Sequence, residues 1–177
     1  MTMLKSMLLG LVLALAATAG AAAQSWSEYR SAEGRYRIEM PGTPELETEP
    51  VEMLDREVPM MQAIVGREEA TYLAAYMDFP AEVIGSLPPA KVLENARDGA
   101  AEGFKLLSDK ALTVAGSPGR EYVIEQDKGV VLVMRIALVG PRLYQMVVVT
   151  IAPGGTADRP DTRRFLDSFA LVAPAGK

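Results

Sequence analysis

The sequence has 177 residues, a formal charge of −5, and neither His nor Cys. Without an imidazole or a thiol there can be no serine–histidine–aspartate or cysteine–histidine catalysis, no Cys/His zinc site, no His-held haem and no thiol–disulfide exchange. An acidic chain also lacks the Lys and Arg excess that nucleic acid or anionic lipid would need.

The first 23 residues read as a secretory signal peptide. Lys5 supplies the charged start, Met7 to Ala17 the apolar stretch, and Ala21-Ala22-Ala23 an A-x-A site that places cleavage before Gln24. An uncleaved membrane anchor is the other reading. The segment is rich in Ala, Gly and Thr, and no stop-transfer charges follow it. No later segment is apolar for long enough to span, so no stable membrane insertion is expected after cleavage. The expected location is periplasmic or secreted. Removal of residues 1–23 leaves about 154 residues, enough for one domain with a core that needs no disulfide. That domain is expected over 24–172, with 173–177 as a frayed tail.

Ser27 to Met40 reads as a hairpin, with Gly34 suited to a turn position of positive φ. Pro41-Gly42-Thr43-Pro44 stops regular structure. Glu45 to Glu57 is extended and acidic, with Glu45, Glu47 and Glu49 at period 2. It is read as an edge strand kept from aggregating by charge, with a cation or basic-partner site as the rival. Met60 to Val65 and Thr71 to Phe79 are strands, and Pro80 to Pro89 is a loop. Pro88-Pro89 opens a helix. Its apolar face is Val92, Leu93, Ala96, Ala100 and Phe104, and Gly103 can terminate it.

Four strands follow, over Leu106 to Ala115, Arg120 to Gln126, Val130 to Val139 and Leu143 to Ala152. The short connections between them permit only antiparallel hairpins. Val130 to Val139 is apolar on both faces except for Arg135, so layers must lie above and below it. Arg135 is expected to be covered and to meet a carboxylate from a neighbouring element, because a lone buried charge is costly. Pro153 to Pro160 is a loop, Asp161 to Phe169 a short helix, and Leu171-Val172 a last strand fragment. The fold class is therefore α+β: an antiparallel sheet of about seven strands with a layer on each face.

Chemistry that could survive without His and Cys is a carboxylate pair, a Ser–Lys dyad or an oxygen-ligand metal site. Ser108 and Lys110 fall on one strand face and read as ordinary polar positions. Asp158, Asp161 and Asp167 lack calcium-loop spacing, and Met53, Met60 and Met61 read as core filling rather than a soft-metal site. No phosphate loop, dinucleotide fingerprint or nucleophile elbow is present. No catalytic residue, metal site or cofactor is assigned. Arg120, Arg142 and Tyr144 are the candidate binding residues: two cationic donors at strand starts and an amphipathic ring beside one of them. Their alternative is solvated strand ends and a core tyrosine.

Gly34-Arg35-Tyr36-Arg37-Ile38-Glu39-Met40-Pro41-Gly42-Thr43-Pro44, after Tyr29, resembles the opening of small exported bacterial proteins of unknown function. So do Gly116-Ser117-Pro118-Gly119-Arg120-Glu121, Arg142-Leu143-Tyr144-Gln145 and Arg164-Phe165-Leu166-Asp167-Ser168-Phe169. Their layout is similar to that of PsbP-type α/β/α sandwiches, which implies an antiparallel sheet covered by helices on both faces. That resemblance implies partner binding, as in photosystem assembly, rather than catalysis. Metal binding in such relatives involves His, which this chain lacks. The expected function is a non-enzymatic domain that binds an envelope protein or a small ligand. The alternative is a carboxylate-based hydrolase or lyase.

Overall fold

A computed structural model describes residues 25–126, 129–151 and 158–173. Residues 1–24, where a signal peptide is expected, 127–128 of the connection before Val130, 152–157 of the last long loop, and 174–177 of the expected tail lie outside the described residues. Seven strands make the main sheet: β3 (Glu45–Met53), β4 (Arg56–Gly66), β5 (Ala70–Asp78), β6 (Lys105–Val114), β7 (Ser117–Glu125), β8 (Val131–Val139) and β9 (Arg142–Thr150). Their order is β3-β4-β5-β9-β8-β7-β6, antiparallel throughout. Each short turn pairs a strand with the next. The exception is the passage from β5 to β6, which carries α1 (Ala81–Ile84) and α2 (Pro89–Ala100). That passage takes the chain from the middle of the sheet to its far edge. Three hairpins then bring it back, so that β9 closes against β5.

Period-2 alternation sends the side chains of each central strand to two cores. In β5, Leu73, Ala75 and Met77 face the first core with Val92, Leu93 and Ala96 of α2. Tyr72, Ala74 and Tyr76 face the second. A small sheet lies on that second side. It is made of β1 (Ser27–Ser31), β2 (Tyr36–Met40) and the two-residue β10 (Ala170–Leu171), in the order β1-β2-β10. Beside it α3 (Pro160–Asp167) buries Phe165 and Leu166. Each such large apolar side chain is worth roughly 1.5–3 kcal/mol of burial. The antiparallel seven-stranded sheet stands as expected, with a layer on each face. One face carries α2, whereas the other is covered by the three-stranded sheet with a single short helix at its side.

Several local readings also change. The acidic stretch from Glu45 is a hairpin, not one run. Leu54 and Asp55 form its turn, both with positive φ, which no Gly or Asn announces. β3 is the edge of the main sheet, as expected, with Leu46 67% exposed on the face opposite Glu45 and Glu47. The Pro80 to Pro89 loop contains α1. The turn before β7 is only Ala115-Gly116, and Ser117-Pro118-Gly119 joins the strand. Pro118 is tolerated because its register partner is Thr113 of β6, while pairing with β8 starts at Gly119.

Candidate functional site: a cleft beside Arg142

Pro59 sets the position of the cleft. β4 pairs with β3 as far as its first residue, but its pairing with β5 ends at Met61 opposite Tyr76. A proline has no N–H for the ladder, so the end of the β3–β4 hairpin runs on without β5 beside it. The cleft at this place has a volume of about 330 Å³. It is lined by Val58, Pro59, Met61, Tyr76, Asp78, Arg142 and Glu33 of the β1–β2 turn.

Arg142 lies directly across the β5–β9 ladder from Asp78. Its Nε donates to Asp78 Oδ1 and its Nη2 to Asp78 Oδ2, both at 2.7 Å. Nη1 donates to the Glu33 carbonyl at 2.7 Å. The guanidinium also lies over the Tyr76 ring, 4.6 Å from its centre, a cation–π contact. Its side chain is only 14% exposed. The Arg142 hydrogen bonds hold the Asp78 carboxyl below the usual aspartate range against the smaller upward push of burial, with the Arg142 and Arg35 charges adding to the effect. Asp78 itself remains about half exposed.

Tyr144, two residues along β9, is buried, and its hydroxyl donates to the Gly34 carbonyl at 2.7 Å. Arg142 and Tyr144 thus clamp two successive carbonyls of the β1–β2 turn onto the main sheet. The turn residue with positive φ is Arg35, not Gly34. Gly34 is required for space: a Cβ there would come within 2.6 Å of Ser31 Oγ and the Tyr36 ring.

Arg120 is not part of this arrangement. It projects on the α2 side, where Nε and Nη2 donate to Asp109 at 2.6 and 3.0 Å. Arg97 of α2 bonds the same carboxylate. Of the three candidates, then, Arg142 and Tyr144 come together and Arg120 stands on the opposite face. Neither arginine is a simple solvated strand end, and Tyr144 is a core tyrosine. Asp78, Tyr76 and Pro59 are not singled out by the sequence, and Met61 reads there as core filling. The signal that could have found them is Pro59, a proline within an extended run.

Arg135 is covered, and Glu121 accepts from its Nε at 2.8 Å and Nη2 at 2.6 Å. Its Nη1 donates to the Leu166 carbonyl at 2.8 Å, and Asp167 adds an ion pair. Glu121 is 3% exposed and also meets Lys110 and Arg163. Lys110 is therefore engaged with Glu121, its register partner across the β6–β7 ladder. Met60 packs with the first core and Met61 with the second, so the two cannot act as a sulfur pair. Among the described residues no group of three or more His, Cys, Asp or Glu is placed to hold a metal ion.

A seven-stranded antiparallel sheet with a three-stranded sheet on one side defines a PsbP-like fold. The chain is similar to the solution structure of cyanobacterial PsbP (CyanoP) from Synechocystis, with a TM-score of 0.52 at 13% identity. The match covers 89% of this chain and 98% of that one. A Pseudomonas aeruginosa protein of unknown function gives a TM-score of 0.39, also at 13% identity, over 78% of this chain and 85% of its own. No protein-family model matches the chain, and no curated protein matches it significantly.

Proposed function

We propose that this chain is an exported, non-enzymatic domain that binds an envelope protein or a small ligand at the Arg142 cleft. The observation that carries this reading is the clamp itself. Asp78, Arg142, Tyr76 and Tyr144 are held by one another and by the β1–β2 turn, beside the apolar side chains of Pro59 and Met61. A preorganised polar frame next to apolar side chains is suited to recognition. The hydrolase or lyase alternative asks a cleft carboxyl to carry a proton near neutral pH. Asp78 is pulled the other way by Arg142. The α/β/α description belongs to the same proposal, with α3 standing for the second helical layer.

A photoreactive amino acid at position 59, which is exposed and lines the cleft, tests the site in cells. A discrete adduct is expected from position 59 and none from position 113, an exposed site on β6. Equal labelling from both positions, or none from either, would reject the cleft as the contact surface. Export is tested separately. Sequencing of envelope-fraction protein should begin at Gln24, as Ala21-Ala22-Ala23 implies, and an intact Met1 would refute processing. Among the described residues no helix is long and apolar enough to cross a membrane.

A further inference from the structure

We infer that the cleft receives a basic side chain flanked by apolar residues in an extended segment of a partner polypeptide. This deepens the binding reading and rests on it. The polar inventory of the cleft is lopsided. Three donor contacts of Arg142 are already committed, two to Asp78 and one to the Glu33 carbonyl. The acceptors are in surplus. Glu33 is exposed, and its carboxylate enters no ion pair among the described residues. Asp78 keeps its outer lone pairs in solvent while bound to Arg142. A carboxylate offers about four acceptor sites, and a bidentate guanidinium uses two of them.

An occupant that satisfies these groups must bring N–H donors and positive charge. A second carboxylate or a phosphate would face Glu33 and Asp78 with Arg142 already engaged, and Arg35, whose charge reaches Asp78, is not among the residues that line the cleft. Met61 and Pro59 ask for apolar contact in the same ligand. The source is a polypeptide because the cleft is partly open to solvent. A small molecule binds well where about 70–90% of its surface is enclosed. A side chain protruding from a larger partner needs less enclosure, since the rest of the contact lies outside. The exposed edge of β3 runs along the same hairpin and offers unpaired backbone groups to an extended segment.

The test uses the processed protein with methyl-labelled methionine, the Met61 signal being assigned by Met61→Leu. Three probes are titrated: a capped pentapeptide of alternating leucine and lysine, its glutamate counterpart, and hexylamine. The lysine peptide should shift the Met61 methyl saturably at concentrations up to about 5 mM, and the glutamate peptide should not. Glu33→Gln, at an exposed and unpaired position, should weaken the lysine peptide by about threefold. Equal binding of both peptides, no binding of the lysine peptide, or indifference to Glu33→Gln would overturn the inference. Hexylamine binding as well as the peptide would overturn the polypeptide source. A position-59 adduct that the glutamate peptide competes away would sink this inference and leave the binding site standing. Absence of both adduct and peptide shift would sink both.

Discussion

Replacing Glu121 with Ala is expected to destabilise the domain by about 3–5 kcal/mol, because it leaves Arg135 buried with its main counter-ion gone. For a domain of this size that corresponds to a fall of about 10 °C in the thermal midpoint. The residue is 3% exposed and sits between Arg135, Arg163 and Lys110. Asp167 also touches Arg135 but is mostly exposed, so it offers little of the lost stabilisation. Glu69→Ala, which breaks the exposed pair with Arg159, should barely move the midpoint. Equal midpoints for the two variants would show that the buried cluster is not a stabilising unit.

The same carboxylate gives a pH dependence of defined sign. Burial raises the proton affinity of Glu121, and the bonds from Lys110 and Arg135 with the charges of Arg135 and Arg163 more than reverse that. A carboxyl lowered in the folded state contributes stability above its unfolded value, about 4.3, and loses it as pH falls through the folded value. The stability difference between the native protein and Glu121→Gln should therefore shrink on acidification below about pH 4. A difference that grows in acid would contradict this assignment.

How much of this was legible in the sequence depended on the range of the interaction. Val131 to Val139 showed its central place because both faces are apolar, and the need of Arg135 for a carboxylate followed from that burial alone. The hairpins of the C-terminal half were marked by Gly116, Gly129 and Gly140, each with positive φ. The Leu54-Asp55 turn had no such mark, so two strands looked like one. The layer over the second face was hidden because β10 is only two residues long and gains its place by pairing with Tyr36 and Arg37. The cleft was half visible. Arg142 and Tyr144 could be chosen by type and position in β9. Their partners, the Glu33 and Gly34 carbonyls, lie more than a hundred residues earlier, and no local pattern connects them.

Gly34→Ala is the substitution that tests the clamp from the turn side, and it should cost about 2–3 kcal/mol. The added Cβ would meet Ser31 Oγ and the Tyr36 ring at 2.6 Å, closer than a methyl tolerates. The ring cannot easily turn aside. It is 2% exposed, stacks with Phe169, and has edge contacts with Tyr29, Tyr76 and Tyr144. The backbone of the turn must therefore move, and it carries the carbonyls that Arg142 and Tyr144 hold. Thermal unfolding should show the loss of stability, and the Met61 methyl should shift in the unliganded protein as the wall formed by Glu33 is displaced. Gly66→Ala supplies the control. It replaces a glycine at the end of β4, but its Cβ would find no atom within 4 Å and its φ is not positive, so stability and the Met61 signal should both stay near native. A Gly34→Ala protein that loses stability with an unmoved Met61 signal would mean that the turn is packed there without shaping the cleft. Arg142 would then hold the fold together and have no part in forming a binding site.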